Sequence, residues 1–138
     1  MLTLLMTGLF AISQAQSVFG EQASLNLVQA DAVIEGTWES ETHDFGQVTQ
    51  GEPVSHTFWV ENTGNQPLEL TNVKPSCGCT AADYTREPIA PGEKGYITAT
   101  YNAAAMGFFS KTIVVRTNNE DERPTLLRFT GEVVKEGR

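Results

Sequence analysis

The sequence predicts an all-β chain folded as an immunoglobulin-like β-sandwich of about seven antiparallel strands. Three observations lead there. Several short segments alternate apolar and polar residues with a period of two, the pattern of strands that bury one face. Clusters rich in Gly, Pro and Asn divide those segments about every 10 to 15 residues, which is turn chemistry. No stretch of ten or more residues in the domain carries a helical period.

The elements follow in order. Residues 1–15, MLTLLMTGLFAISQA, hold no charged side chain, and all 9 basic and 17 acidic residues come after them. An apolar core at 2–12 followed by Ser13, Gln14 and Ala15 predicts a secretory signal peptide cleaved after Ala15. The apolar run is too short to serve comfortably as a membrane span. Residues 16–40 have no clear period and read as a leader or loose first strand, with Trp38 available to dock on the domain. The domain itself is expected at 41–135. THDFGQV joins aromatic and β-branched residues and breaks at Gly46. VSHTFWVEN places Val54, His56, Phe58 and Val60 on one face and Ser55, Thr57, Trp59 and Glu61 on the other.

NTGNQP is a turn, and LELTNV sets Leu68 and Leu70 on one side. The PSCGCT loop follows, then an irregular stretch through YTREPIAPGEKG. YITATY puts Ile97, Ala99 and Tyr101 on one face. NAAAMG is either a single helical turn or a crossing loop. FFSKTIVVRTN holds Phe109, Lys111, Ile113 and Val115 in phase, NNEDERP turns the chain, and TLLRFTGEVV is the last strand.

With 138 residues the chain suits one domain with a modest core. A net charge of −8 is poorly matched to phosphate backbones, so nucleic acid is excluded as a partner. Gly-x-Ser-x-Gly, phosphate-loop and His-Glu-x-x-His motifs are all missing, which argues against catalysis. A sandwich offers edge strands and end loops to a protein partner. Trp59, out of phase with its buried neighbours, is expected to face solvent.

The one chemically conspicuous stretch is KPSCGCTAADY, which contains both cysteines, Cys77 and Cys79. Export to an oxidising compartment favours pairing. Gly78 permits the bend that a disulfide between residues two apart requires. Such a bond closes almost no loop, so chain entropy gains little from it. Three readings stay open: a structural loop, a switchable thiol pair, and a clip for a soft ion such as Cu(I). No cofactor is required, and copper is the one candidate. A third ligand would come from His56 or His43. Were strands 54–62 and 67–73 a hairpin, His56 would pair near Lys74; were they in different sheets, that register would fail. His43 reads as a solvent-facing strand residue beside Asp44, which is placed to orient its ring. His56 reads as a histidine at the core's edge satisfied by backbone.

The ordered phrases HDFGQVTQGEPVSHTFWVENTGNQPLEL, KPSCGCTAADY, EPIAPGEKGYITATY, GFFSKTIVVRTN and RFTGEV resemble the bacterial domain-of-unknown-function 1573 family over about residues 42–134. The resemblance implies an immunoglobulin-like module related to the abnormal-spindle and major-sperm-protein group. It also implies an exported protein, periplasmic or extracellular, and brings no established activity. The combined expectation is a non-catalytic binding or scaffold module of the bacterial envelope. The alternative is a thiol-redox or copper-handling protein using Cys77 and Cys79.

Overall fold

The structure is a computed structural model and describes residues 30–136. The expected signal peptide at 1–15 and the leader up to residue 29 lie outside the described residues. Eight strands form: β1 (Gly36–Trp38), β2 (Thr42–Thr49), β3 (Val54–Asn62), β4 (Leu70–Pro75), β5 (Thr80–Tyr84), β6 (Lys94–Tyr101), β7 (Gly107–Thr117) and β8 (Thr125–Val134). They make two four-stranded sheets, ordered β1-β3-β6-β5 and β2-β8-β7-β4. This is the expected immunoglobulin-like sandwich.

The alternating segments supply the core. Phe58 and Val60 of β3, Ile97, Ala99 and Tyr101 of β6, Phe109, Ile113 and Val115 of β7, and Leu127, Phe129 and Val133 of β8 are buried together. Their polar alternates turn outward, as a period of two dictates. Inner faces of both sheets thus interdigitate in one layer. No helix long and apolar enough to cross a membrane exists among the described residues.

Several local outcomes differ from the sequence reading. β1 is a short strand inside the expected leader, antiparallel to β3 through Trp38↔Val60. The chain then changes sheets, and β2 runs parallel to β8. Phe45 and Gly46 of β2 stand opposite the single residue Gly131 of β8. Gly46 takes a φ of 68° there and donates its N–H to Asp44 Oδ1 at 2.8 Å. This two-against-one bulge bends the strand and turns the Phe45 ring toward Phe109 and Phe129.

β3 and β4 do not form a hairpin. They lie in different sheets, β3 beside β6 and β4 beside β7, so His56 stands opposite Ala99 rather than near Lys74. The stretch after the cysteines, read as irregular, begins with β5, which pairs with β6. Residues 102–106 form a loop, where Ala103 is buried with a φ of 53°.

Candidate functional site

Besides the outer edges of β5, β2 and β4, part of the edge of β3 is uncovered, because β1 flanks only its second half. Even-numbered residues of β3 bond toward β6, as the Asn62 N–H does to Glu93 O at 2.9 Å. Odd-numbered residues bond toward β1: Glu39 N donates to Trp59 O at 3.0 Å, and Thr63 N to Glu35 O at 3.0 Å. β1 ends at Trp38, and after Glu39 the chain crosses to the other sheet, where Arg128 N donates to Glu41 O at 2.8 Å. By the same alternation Ser55 and Thr57 aim their N–H and C=O groups at a side where, among the described residues, no strand pairs. Such a row is a template for another strand.

A groove of about 250 Å³ lies along this edge, lined by Glu39, Ser40, His56, Thr57, Phe58 and Trp59. Trp59 forms its outer rim with 42% of its surface exposed, as the phase of the strand predicts. It meets Tyr96 of β6 edge-on at 6.1 Å. Beside it the hydroxyls pair across the strands, Thr57 with Thr98 at 2.9 Å and Ser55 with Thr100 at 2.8 Å.

Beneath the edge the two histidines meet. The rings of His43 and His56 stack 3.7 Å apart and within 6° of parallel, one from each sheet. Phe45 packs edge-on against His43 at 4.5 Å, and Phe58 against His56 at 4.7 Å. Burial, and then the neighbouring His43, lower the pKa of His56 below its ordinary value. His43 is therefore half-buried and inward-facing, not solvent-facing, because it shares its phase with Phe45. Asp44 does not orient its ring; the carboxylate is bonded to Gly46 N instead. Nor does backbone satisfy His56, whose ring is packed against aromatic faces.

The cysteines sit elsewhere, on the crossover from β4, at one edge of one sheet, to β5, at the edge of the other. Cys77 and Cys79 are disulfide-bonded with Cα atoms 5.3 Å apart. The crossover is tied at both ends: Ser76 N donates to Thr112 O at 2.8 Å, and Asn102 N to Cys79 O at 3.1 Å. Cys79 packs partly against the core. β6 separates β5 from β3, so the structure brings His43 to His56 but neither to the cysteines. Paired sulfurs carry no thiolate, which is the form that binds soft metal. Among the described residues no three or more His, Cys, Asp or Glu side chains are grouped as metal ligands.

The alternating pattern of β3 pointed to Trp59 and His56. The open edge was missed, because nothing in GTWESE announces that the first strand changes sheets after three residues. The histidine stack did leave a signal: His43 and Phe45 are two apart, as are His56 and Phe58.

The sequence profile of the family described as protein of unknown function (DUF1573) matches residues 36–133. The chain belongs to the DUF1573 family. No curated protein matches it. The DUF1573 domain is similar to a protein of unknown function from Porphyromonas gingivalis W83, at 22% identity and a TM-score of 0.64. That match covers 78% of this chain and 51% of the other, so the chain spans about half the length of that relative. The ASH/PapD-like domain 7 of human CEP192 matches at 11% identity and a TM-score of 0.56, covering 75% of this chain and 88% of that domain. The VesB protease of Vibrio cholerae matches at 14% identity and a TM-score of 0.61, over 71% of this chain and 32% of the protease. At these identities the likeness is one of fold.

Many DUF1573 motif residues build that fold. Asn62 of NTG donates to Gln66 O and Ile89 O at 2.7 Å each. Gly64 lies so close to the backbone of Val33 that a Cβ would stand 2.2 Å from its carbonyl oxygen. Asn118 of the TN phrase donates to Pro67 O at 3.0 Å and accepts from Glu69 N at 2.9 Å.

Proposed function

We propose that this DUF1573 protein is an exported, non-catalytic binding module of the bacterial envelope, which holds a partner by adding the partner's strand to the open edge of β3. The observation that carries this reading is the pair of residues Ser55 and Thr57, whose backbone groups face outward where β1 has left the sheet. Strand addition uses main-chain hydrogen bonds for affinity and alternate side chains for selectivity. The apolar residues 2–12 followed by Ser13-Gln14-Ala15 support export. No buried polar side-chain atom among the described residues lacks a partner, and Lys94, whose pKa is raised by its hydrogen bond to Glu39, lies on the surface. Neither feature resembles a poised acid or base.

The test places a photo-crosslinking residue at Ser55 and, as a control, at Ser110 on the outer face of the other sheet, in cells of the source bacterium. An adduct specific to Ser55 is expected in the envelope fraction, on a chain beginning at Gln16. Thr57→Pro removes an edge N–H without touching the β6 ladder, so it should abolish the adduct while the thermal midpoint stays within a few degrees. Adducts that persist in Thr57→Pro, or that form equally at Ser110, would refute edge capture. An uncleaved cytoplasmic chain would refute export.

A further inference from the structure

We propose that the strand received by this edge is acidic: an extended peptide segment carrying Asp or Glu opposite His56, its carboxylate held by the imidazole of His56, on which His43 is stacked. The inference rests on the edge reading above and names the chemistry of the partner.

The register of β1 fixes which guest side chains turn inward. Trp38 stands opposite Val60 and packs on the core as Val60 does. A guest continuing that track alternates in the same way. Its residues opposite Phe58 and His56 point into the sandwich, and those opposite Thr57 and Ser55 point out beside Trp59. The inward position opposite His56 opens on the groove of about 250 Å³, which is room for one short side chain.

What that side chain meets is the imidazole of His56, with the ring of His43 stacked on it at 3.7 Å, and neither ring has a counter-charge. On β2, Phe45 packs on His43, and Asp44 is turned away to Gly46. On β3, Phe58 packs on His56. The register partners are Ala99 of β6 for His56 and Phe129 of β8 for His43. Beyond Phe129, Lys111 of β7 holds its ammonium 6.0 Å from the Tyr101 ring, and beside Phe129 in sequence stands the exposed Arg128. The acid nearest in the groove, Glu39, is engaged by Lys94, the only ion pair among the described residues. No hydrogen bond reaches either imidazole ring among the described residues, and a ring N–H or imidazolium needs an acceptor when it is covered.

Covering the groove with an apolar side chain would leave the His56 ring without an acceptor, and a neutral polar one would accept a single N–H but offer no charge to an imidazolium. A carboxylate supplies both the acceptor and the charge that a protonated His56 needs beside the ring stacked on it at 3.7 Å. The chain's net charge of −8 opposes an acidic approach, but that field is screened beyond about 8 Å at physiological ionic strength. Selectivity therefore comes from the groove, and affinity should rise as pH falls through the histidine range.

The experiment uses the full chain labelled with 15N and two probes, N-acetylated, C-amidated Thr-Val-Glu-Val-Thr and the same peptide with Gln for Glu, titrated to millimolar concentration at pH 5.5 and 7.5. The Ser55 and Thr57 amide resonances report occupancy of the edge. The ring resonances of His56 report its titration. The Glu peptide is expected to shift both amides, to raise the His56 midpoint, and to bind about tenfold tighter at pH 5.5, the equivalent of one pKa unit. The Gln peptide should bind more weakly and gain no affinity at pH 5.5. His56→Phe, which keeps an aromatic ring in the stack, should erase the difference between the peptides. Equal amide shifts from both peptides with an unmoved His56 midpoint would overturn the acidic partner and leave the edge reading standing. Amides untouched by either peptide would overturn both. Shifts at Ser55 and Thr57 that depend on protein concentration without peptide would make the occupant a second copy of this chain, which also overturns the proposal.

Discussion

Replacing Asn62 by aspartate exchanges an amide NH2 for an oxygen and changes the volume hardly at all. Asn62 is 1% exposed. Its Nδ2 donates to Gln66 O and Ile89 O, both at 2.7 Å, and its Oδ1 accepts from Gly64 N at 3.0 Å. Alanine would delete these three bonds at about 1 kcal/mol each, roughly 3 kcal/mol together. Aspartate is worse placed, because a carboxylate oxygen would face two carbonyl oxygens in a dry site. An uncompensated buried charge costs about 3–5 kcal/mol. Urea unfolding followed by tryptophan fluorescence at pH 7 should show the midpoint of Asn62→Asp lowered by roughly 2 M, for a slope of about 2 kcal/mol per molar. The deficit also has a sign in pH. Burial against carbonyls raises the new carboxyl above its unfolded value of about 3.9. The folded protein then keeps a proton that the unfolded chain has released, so the deficit grows as pH rises from about 4 through the raised value. A variant within about 1 kcal/mol of the parent, or one whose deficit does not change with pH, would refute the donor role of Asn62.

Three further perturbations have defined outcomes. In Gly131→Ala the new Cβ would lie 2.5 Å from Phe109 Cζ and 2.9 Å from Gly46 O; a loss of about 1–3 kcal/mol is expected, partly recovered by adding Phe109→Leu, and calorimetry showing no loss would contradict the packing. The lowered pKa of His56 means that the unfolded chain binds more protons just below pH 6.5. Stability should be full above that value and fall as pH drops from it toward the folded pKa; chemical denaturation across pH 7.5 to 5 should show the slope, and His56→Phe should flatten it. Joint Cys77→Ser and Cys79→Ser opens a ring of only three residues, so the loss in unfolding free energy should not exceed about 2 kcal/mol. A larger loss would mean that the crossover depends on the clip.

The fold was legible because its signals are local. Val54, Phe58 and Val60 announce β3 by phase alone, and Phe109, Ile113 and Val115 announce β7. Turn residues such as Gly64 and Gly92 mark the ends. What stayed hidden depends on pairing between distant segments. A period of two says which face a side chain takes but not which strand lies beside it, so β3 and β4 looked like a hairpin as much as members of opposite sheets. β5 was hidden because TAADY is short and lacks the β-branched and aromatic run of its neighbours. The site divided in the same way. His56 was assigned to the inner face by its own strand, whereas its contact with His43 required knowing that β2 crosses over it. For Cys77 and Cys79 the spacing identified the pair, and only the topology placed them on the bridge between sheets.

The parallel pairing of β2 with β8 bears on how the domain meets mechanical load. The N-terminal end of β2 lies beside Arg128 and the C-terminal end of β8 beside Thr49. Force pulling the two chain ends apart along the strands therefore slides β2 past β8. All six register pairs from Thr42↔Arg128 to Thr49↔Val134 resist together, instead of opening one after another as they would if the ends peeled from one side. A module anchored at one terminus and loaded at the other would yield abruptly, when the β2–β8 ladder parts as a whole.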